Sequence, residues 1–215
     1  MTDRPRVAVV DYGAGNIMSM VHALERAGAD PIVADGPAGL ASVAAVVVPG
    51  VGASGPAMRS LRRRGLDRAL ERAVANGAQY LGVCLGLQLL FERSEEDGAA
   101  GLGWLRGTVQ SLPDAPRLPH VGWNLVEPVT DHPLFPGRTC EPFYFVHSYA
   151  PAPERGAIVL AETTHGRPFA SAVASGPVAG VQFHPEKSGP AGLRFLERWL
   201  ALLVAQVAAP PASGS

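Results

Sequence analysis

Gly82-Val83-Cys84-Leu85-Gly86-Leu87-Gln88-Leu89-Leu90-Phe91 is the stretch that most constrains the fold and the chemistry of this chain. An apolar run that begins at Tyr80 predicts a buried strand, and leucines spaced three and four apart after Cys84 predict a helix. The glycines two residues before and after Cys84 allow a sharp turn between them, which is the geometry of a nucleophile elbow. A helix N-terminus beside the thiol favours the thiolate. The pattern favours a nucleophile over a structural buried cysteine, which is the usual state of a free thiol.

Length and composition exclude several classes of function. The 215 residues suffice for one domain, predicted over 1–206, and 207–215 is predicted to be a disordered tail because it has little to bury. A net charge of −1 gives no reason to expect nucleic acid or an anionic membrane as a partner. No apolar run is long enough to span a membrane. Cys84 and Cys140 are far apart in sequence, so we expect free thiols and a cytoplasmic protein.

Apolar and amphipathic segments alternate along most of the chain. Buried strands are predicted at 7–10, 31–33, 44–48, 80–83 and 178–183, with one long helix over about 56–75 and a closing helix over 193–204. Because the strands are wholly apolar, we predict an α/β fold with an open, mostly parallel sheet and helices on both faces. Between about 104 and 169, alternating segments and many turn residues predict antiparallel hairpins that decorate the sheet.

The late strand ends in Val181-Gln182-Phe183-His184-Pro185-Glu186. Ligands of open parallel sheets bind outside the carboxyl ends of the strands, where Cys84 also lies. Pro185 favours an extended backbone at His184, and residues two apart in extended chain point to the same side, so Glu186 is expected beside the imidazole. A carboxylate on one ring nitrogen leaves the other facing a nucleophile. We therefore predict a triad of Cys84, His184 and Glu186; the alternative is a solvated histidine and glutamate at a strand end.

A thioester mechanism also needs N–H donors for the oxyanion. The backbone N–H of Leu85, one residue past the nucleophile, is one candidate. The second is expected from Val51 or Gly52 in the loop Pro49-Gly50-Val51-Gly52, whose glycines let a peptide plane rotate easily. The spacing alone is equally consistent with a tight turn.

Together these segments resemble the class I, or triad, glutamine amidotransferase family. The resemblance rests on Gly-Val-Cys-Leu-Gly-x-Gln at 82–88 and on the late His-Pro-Glu, and it covers nearly the whole chain. The segments 10–17, 49–52, 118–124, 144–149 and 184–188 are similar to the glutaminase subunits of imidazole glycerol phosphate synthase, from histidine biosynthesis, and Pro-His-Val-Gly-Trp-Asn at 119–124 is the most discriminating. The resemblance implies a flavodoxin-like sheet and hydrolysis of glutamine to glutamate and ammonia through a cysteine thioester.

The resemblance also implies roles for further residues. Four are implied to hold glutamine beside Gly52, with an acidic side chain on the α-ammonium group and N–H groups on the α-carboxylate: Gln88, Glu96, Ser148 and Tyr149. Without the resemblance, Gln88 and Glu96 fit a polar helix face and Tyr149 fits a core.

A partner is implied as well. Ammonia would pass to a cyclase subunit, a (β/α)8 barrel that forms a heterodimer with this chain and makes imidazole glycerol phosphate and aminoimidazole carboxamide ribotide. The residues implied to face it are Asn16, Trp123, Asn124 and Lys187. Tryptophan is also common in cores, and Lys187 fits an ordinary solvated lysine. Docking of the cyclase would turn the 49–52 loop and complete the oxyanion hole.

Other residues carry weaker signals. Ser54 stands where the family often has an aromatic residue, which is expected to alter packing behind the oxyanion loop without touching the triad. His120 and His147 lie in the family segments but have no partner that the sequence identifies, whereas the remaining histidines outside the triad are expected at the surface or in packing. No Cys/His cluster has metal-ligand spacing, so neither a metal nor a cofactor is predicted.

Three alternative functions remain open. Another triad glutaminase, serving pyridoxal phosphate synthesis or of the aminodeoxychorismate type, is disfavoured by segments 119–124 and 145–149. A catalytically silent binding subunit is disfavoured by the intact triad. A cysteine peptidase or chaperone-like relative of the same fold is more distant.

Overall fold

The computed structural model describes residues 4–112 and 114–208, which form one nine-stranded sheet, a small three-stranded sheet and the helices around them. The strands are β1 (Arg6–Val10), β2 (Asp30–Ala34), β3 (Ala45–Gly50), β4 (Gln79–Cys84), β5 (Phe91–Ser94), β6 (Leu105–Ser111), β7 (His120–Pro128), β8 (Glu141–His147), β9 (Tyr149–Pro153), β10 (Val159–His165), β11 (Arg167–Ser175) and β12 (Val178–Val181). The helices are α1 (Ile17–Arg26), α2 (Ser54–Arg63), α3 (Leu66–Ala75), α4 (Leu85–Gln88) and α5 (Gly189–Ala208).

The large sheet has the strand order β2-β1-β3-β4-β12-β11-β10-β7-β8. Its first five strands are parallel, in the order of a flavodoxin-like fold with β12 as the fifth strand. The other four pair antiparallel and continue the same sheet. The predicted α/β fold class is confirmed, but most of the antiparallel strands extend the sheet instead of decorating it, because β11 pairs with the open edge of β12. Strands β5, β6 and β9 form the small sheet.

Helices cover both faces of the parallel half, which explains why its central strands β3 and β4 are buried along their whole length. Successive residues of β1 point to opposite faces: Val7 and Val9 pack in the same core as residues of α1 and α5, whereas Ala8 and Val10 pack with residues of α2 and α3. None of the helices described is long and apolar enough to cross a membrane.

Two predicted helices differ from the structure. The helix expected over 56–75 is divided into α2 and α3 because Gly65, with φ of 66°, adopts the left-handed conformation between them. The helix after Cys84 is a single turn, α4, since Phe91 already begins β5. Of the predicted tail at 207–215, residues 209–215 lie outside the described part of the chain, and α5 continues to Ala208.

Candidate active site

Cys84 ends β4 and makes the sharp turn with its own backbone. Its φ of 54° and ψ of −106° lie in a region that L-residues rarely adopt, a form of strain that clusters at active sites. The glycines on either side of Cys84 were predicted to allow the turn itself, but they are needed because other backbone segments pack too close to them for a side chain to fit. A Cβ on Gly82 would collide with the Gly86 carbonyl, and one on Gly86 would collide with the Val48 carbonyl. The elbow is therefore present, with the strain on the cysteine.

The surroundings of the thiol come from neighbouring strands more than from a helix. Because α4 is one turn long, its dipole contributes less than predicted. Gly50 of β3 pairs with Cys84, so the predicted oxyanion loop begins directly beside the thiol. Cys84 is buried, its sulfur lies 3.8 Å from the Val146 carbonyl oxygen, and Gln182 Nε2 donates to Sγ at 3.5 Å.

His184 and Glu186 form a buried pair three residues beyond β12. The distance from His184 Nδ1 to Glu186 Oε1 is 2.8 Å. The backbone route to this contact differs from the prediction: His184 is extended, but Pro185–Lys187 is a 3-10 turn, which Pro185 can start, and this turn brings the carboxylate under the ring. Ser188 fixes the arrangement, because Tyr144 N–H donates to its hydroxyl oxygen at 3.0 Å and the hydroxyl donates to the His184 carbonyl at 2.6 Å.

The two partners of His184 favour its protonated form. Burial lowers the pKa of the imidazole, but contact with Cys84 and then with Glu186 outweighs burial and raises the pKa to about 9. Since Glu186 occupies Nδ1, Nε2 is the nitrogen that faces the nucleophile. Nε2 makes no hydrogen bond of normal geometry with any described residue, so the thiol contact is looser than in a reacting complex. The pair can accept the thiol proton and return it later.

A cavity of about 160 Å³ opens over the thiol. It is smaller than the roughly 300–1,000 Å³ of pockets for drug-sized ligands, which suits a ligand of amino-acid size. The residues predicted to bind glutamine or to stabilise the oxyanion all line it: Val51, Gly52, Leu85, Gln88, Glu96, Ser148 and Tyr149. Partial burial and the neighbouring Asp97 raise the pKa of the Glu96 carboxyl. A larger cavity, of about 660 Å³, lies beside α3 and contains neither a nucleophile nor an acid–base pair.

Gln182 is a site residue that the sequence analysis does not identify. It is fully buried; besides donating to Cys84, its side-chain oxygen accepts from Gln88 Nε2 at 3.2 Å. Gln88 Nε2 also donates to the Tyr149 carbonyl at 2.8 Å, so a continuous hydrogen-bonded path joins this carbonyl to the thiol. The sequence does contain a sign of this role: Gln182 is a polar residue between Val181 and Phe183 in an otherwise apolar segment. A polar side chain buried at such a position requires hydrogen-bond partners.

Exposed apolar side chains follow one face of β7. Val121, Trp123 and Leu125 are 57%, 58% and 49% exposed, and they alternate with inward-facing residues. Trp123 contacts the edge of the Tyr144 ring, and the ammonium group of Lys187 lies 5.9 Å from the centre of the same ring. Trp123 and Lys187, both predicted to face a partner, therefore lie close together.

Asn16 and Asn124, also predicted to face a partner, have structural contacts of their own. Asn16 caps α1 by accepting from Ser19 N–H at 3.2 Å. The side chain of Asn124 lies on the opposite face of β7 from Trp123. Ser54 is buried in the first turn of α2, and its hydroxyl has no partner among the described residues.

Comparison with known proteins gives a consistent result. The family described as glutamine amidotransferase class-I matches residues 8–202. A protein of Symbiobacterium thermophilum named imidazole glycerol phosphate synthase subunit HisH is 50% identical over 90% of this chain and 92% of that relative. A protein of the same name from Synechococcus elongatus is 47% identical over 97% of each chain. A solved structure of PurLQS from Thermotoga maritima shares the fold, with a TM-score of 0.75 and 20% identity over 94% of this chain and all of that chain. The chain therefore belongs to the class I glutamine amidotransferases and, within them, to the family of imidazole glycerol phosphate synthase subunits named HisH.

Proposed function

We propose that this chain hydrolyses glutamine to glutamate and ammonia as the glutaminase subunit of imidazole glycerol phosphate synthase. His184 takes the proton of Cys84, and Sγ attacks the side-chain amide carbon of glutamine, whose carbonyl becomes an oxyanion. His184 gives the proton to the amide nitrogen, the C–N bond breaks and ammonia leaves a thioester. Water, deprotonated by His184, then attacks the thioester; the C–S bond breaks, and glutamate and the free thiol result.

The oxyanion is stabilised by backbone N–H groups of Leu85 and of Val51 or Gly52. Gly52 has a φ of 97° and no atom within 4 Å of the place where a Cβ would stand, so the peptide next to it has room to turn. We expect the donor to point away in the free chain and to turn inward when the partner and its nucleotide ligand bind. Equal glutamine turnover with and without them would contradict this step.

Glutamine is held by the residues that line the cavity. The carboxylate of Glu96 binds the α-ammonium group, and N–H groups around Ser148 bind the α-carboxylate. Gln88 and Tyr149 both line the cavity and are fixed to each other by their hydrogen bond. The observation that carries the proposal is that this one small cavity joins the Cys84 nucleophile to the residues expected to hold glutamine.

The partner is proposed to be the (β/α)8-barrel cyclase of the same synthase, in a cytoplasmic heterodimer. A face with three large exposed apolar side chains on alternate residues of β7 suits burial against another protein. Lys187 directly follows Glu186 in the sequence. An ion pair between Lys187 and an acidic residue of the cyclase would therefore link binding of the cyclase to the position of Glu186 in the triad.

Synthesis assays with both nitrogen sources test the proposal. Imidazole glycerol phosphate formation by this chain plus cyclase is measured with glutamine and, separately, with ammonium salt. Cys84→Ala is expected to abolish glutamine-dependent synthesis and to leave ammonia-dependent synthesis intact. Cys140→Ala, which removes the exposed cysteine, is the matched control and should behave as wild type. Glutamine-dependent synthesis by Cys84→Ala at the wild-type rate would overturn the proposal.

A further inference from the structure

Three histidines from neighbouring strands lie together, and one of them, His147, lines the cavity. His120 of β7 stacks on His165 of β10, with ring centres 4.1 Å apart, and its Nδ1 lies 3.0 Å from Nε2 of His147 on β8. His120 and His147 are buried. No group of three or more His, Cys, Asp or Glu in residues 4–112 and 114–208 is arranged to hold a metal ion, so the cluster requires another explanation.

The contacts of His147 fix the position of its proton. Nδ1 lies 2.9 Å from the carbonyl oxygen of Tyr149, which can only accept, so Nδ1 carries the hydrogen. In the neutral ring Nε2 is then an acceptor, and the nitrogen facing it, His120 Nδ1, must donate. The same reasoning makes Nε2 of His120 an acceptor.

Asn124 supplies the donor that His120 requires. Its Oδ1 accepts from Leu125 N–H at 2.8 Å and its Nδ2 donates to the Thr164 carbonyl at 2.9 Å, so the amide has only one satisfactory orientation. In that orientation Nδ2 also lies 3.2 Å from His120 Nε2 and donates to it. Every hydrogen in the series therefore points the same way, from Asn124 to His120, to His147 and to the Tyr149 carbonyl.

Both rings are held neutral, which this order requires. Burial, and to a lesser degree the neighbouring His165, lowers the pKa of His120 to about 4. The pKa of His147 is lowered to about 3, chiefly by burial; the hydrogen bond to Tyr149 opposes this change, whereas His120, His165 and His184 contribute to it. Protonation of either ring would place two N–H groups against each other.

We propose that Asn124, His120 and His147 form a one-directional hydrogen-bond chain that positions the Tyr149 carbonyl, which makes the two histidines positioning residues for the glutamine cavity. Two series of hydrogen bonds end at the Tyr149 carbonyl. One is the chain from Asn124, and in the other the carbonyl accepts from Gln88, whose amide also donates to Gln182, which in turn donates to Cys84. Holding this carbonyl fixes the wall of the cavity relative to the thiol. The proposal rests on the proposed function only in taking glutamine as the ligand.

Imidazole ¹⁵N NMR of the full-length wild-type chain at neutral pH tests the order of the hydrogens. Long-range ¹H–¹⁵N spectra distinguish the Nδ1–H, Nε2–H and charged forms, and the variants His120→Phe and His165→Phe assist the assignment. We expect the Nδ1–H form for both His120 and His147. An Nε2–H or charged ring at either position would overturn the chain. This result does not depend on whether the protein cleaves glutamine.

Steady-state kinetics of the complex with the cyclase test the positioning role. His120→Phe keeps a flat ring for stacking but removes both hydrogen bonds; we expect the KM for glutamine to rise roughly tenfold with kcat within about twofold of wild type, because a buried acceptor loses its donor. His165→Phe is the matched control, since His165 stacks in the cluster but donates outside the chain, to the Arg117 carbonyl; its KM should not change. An unchanged KM in His120→Phe would refute the positioning role. A wild-type complex that cannot use glutamine would refute the proposed function instead and leave the NMR result to decide on the chain.

Discussion

Replacing Glu186 by Gln tests whether its carboxylate sets the charge of the catalytic imidazole. The substitution keeps the side-chain length and an acceptor oxygen but removes the negative charge 2.8 Å from His184 Nδ1. The pKa of His184 is about 9 against an ordinary 6.5, although burial alone lowers it. That net rise corresponds to about 3 kcal/mol in favour of the imidazolium, so contact with Cys84 and Glu186 offsets burial and exceeds it by this amount.

The expected loss of activity follows from the share of Glu186 in this energy. If loss of the carboxylate lowers the pKa of His184 by about one unit, the imidazolium loses roughly 1 kcal/mol and kcat falls about tenfold. If the new amide also turns its N–H toward Nδ1, the ring adopts the wrong tautomer, and the loss approaches roughly 10⁴-fold.

Glutamate release by the complex with cyclase, at saturating glutamine and across neutral to alkaline pH, measures this effect. The alkaline limb of the kcat profile should move down by about one pH unit. The rate of Cys84 alkylation by iodoacetamide gives a second profile that needs no turnover. Glu197→Gln, an exposed carboxylate on α5, is the matched control. A variant with wild-type kcat at neutral pH and an unmoved alkaline limb would refute the role assigned to Glu186.

Three further predictions concern stability, measured by urea unfolding. Gly86→Ala places a Cβ against the Val48 carbonyl and should lower the free energy of unfolding by at least about 3 kcal/mol; an unchanged midpoint would contradict the close approach. Because the folded-state pKa values of His120 and His147 lie below the ordinary 6.5, the unfolded chain binds protons first as pH falls, so their contribution is complete above about 6.5 and is lost toward about 4 and 3. Each should add up to about 1.4 kcal/mol per pH unit to the acid slope, and His120→Phe should flatten it; equal slopes would argue against neutral rings. Tyr12→Phe removes a buried hydroxyl with no partner among the described residues and should raise the free energy of unfolding by about 1 kcal/mol, whereas a destabilised variant would indicate a missing hydrogen bond.

Much of the parallel half of the fold is predictable from sequence because its signals are local. Apolar strands followed by turn residues locate β1, β3 and β4, and the Gly-x-Cys-x-Gly pattern locates the sharp turn at Cys84. The division between α2 and α3 is harder to predict, since Gly65 is followed by the same helical spacing that precedes it. The early end of α4 is also hard to predict, because the apolar residues Leu90 and Phe91 fit the buried face of a longer helix as well as they fit the start of β5.

Contacts within the site that depend on several strands are not encoded in spacing. The contact between His184 and Glu186 was predicted from an extended backbone, in which residues two apart point to the same side. The contact is present, but it arises from a 3-10 turn over Pro185–Lys187. His120 and Asn124 share β7, but His147 reaches His120 only through the pairing of β7 with β8, and the Thr164 carbonyl reaches Asn124 only because β10 pairs with β7. No periodicity in the sequence indicates that Nδ1 of His120 faces Nε2 of His147.

The position of β12 has a consequence for how the chain matures. This four-residue strand is the fifth of nine in the sheet and joins the parallel half to the antiparallel half, yet among the strands of residues 4–112 and 114–208 it comes latest in the sequence. Until it inserts, β4 and β11 present unpaired edges, which invite association with other chains. His184 follows three residues later, so Cys84 and His184 come together only when the two halves have been joined. A chain that terminated before 178 would therefore contain the turn around Cys84 but lack β12 and the His184–Glu186 pair.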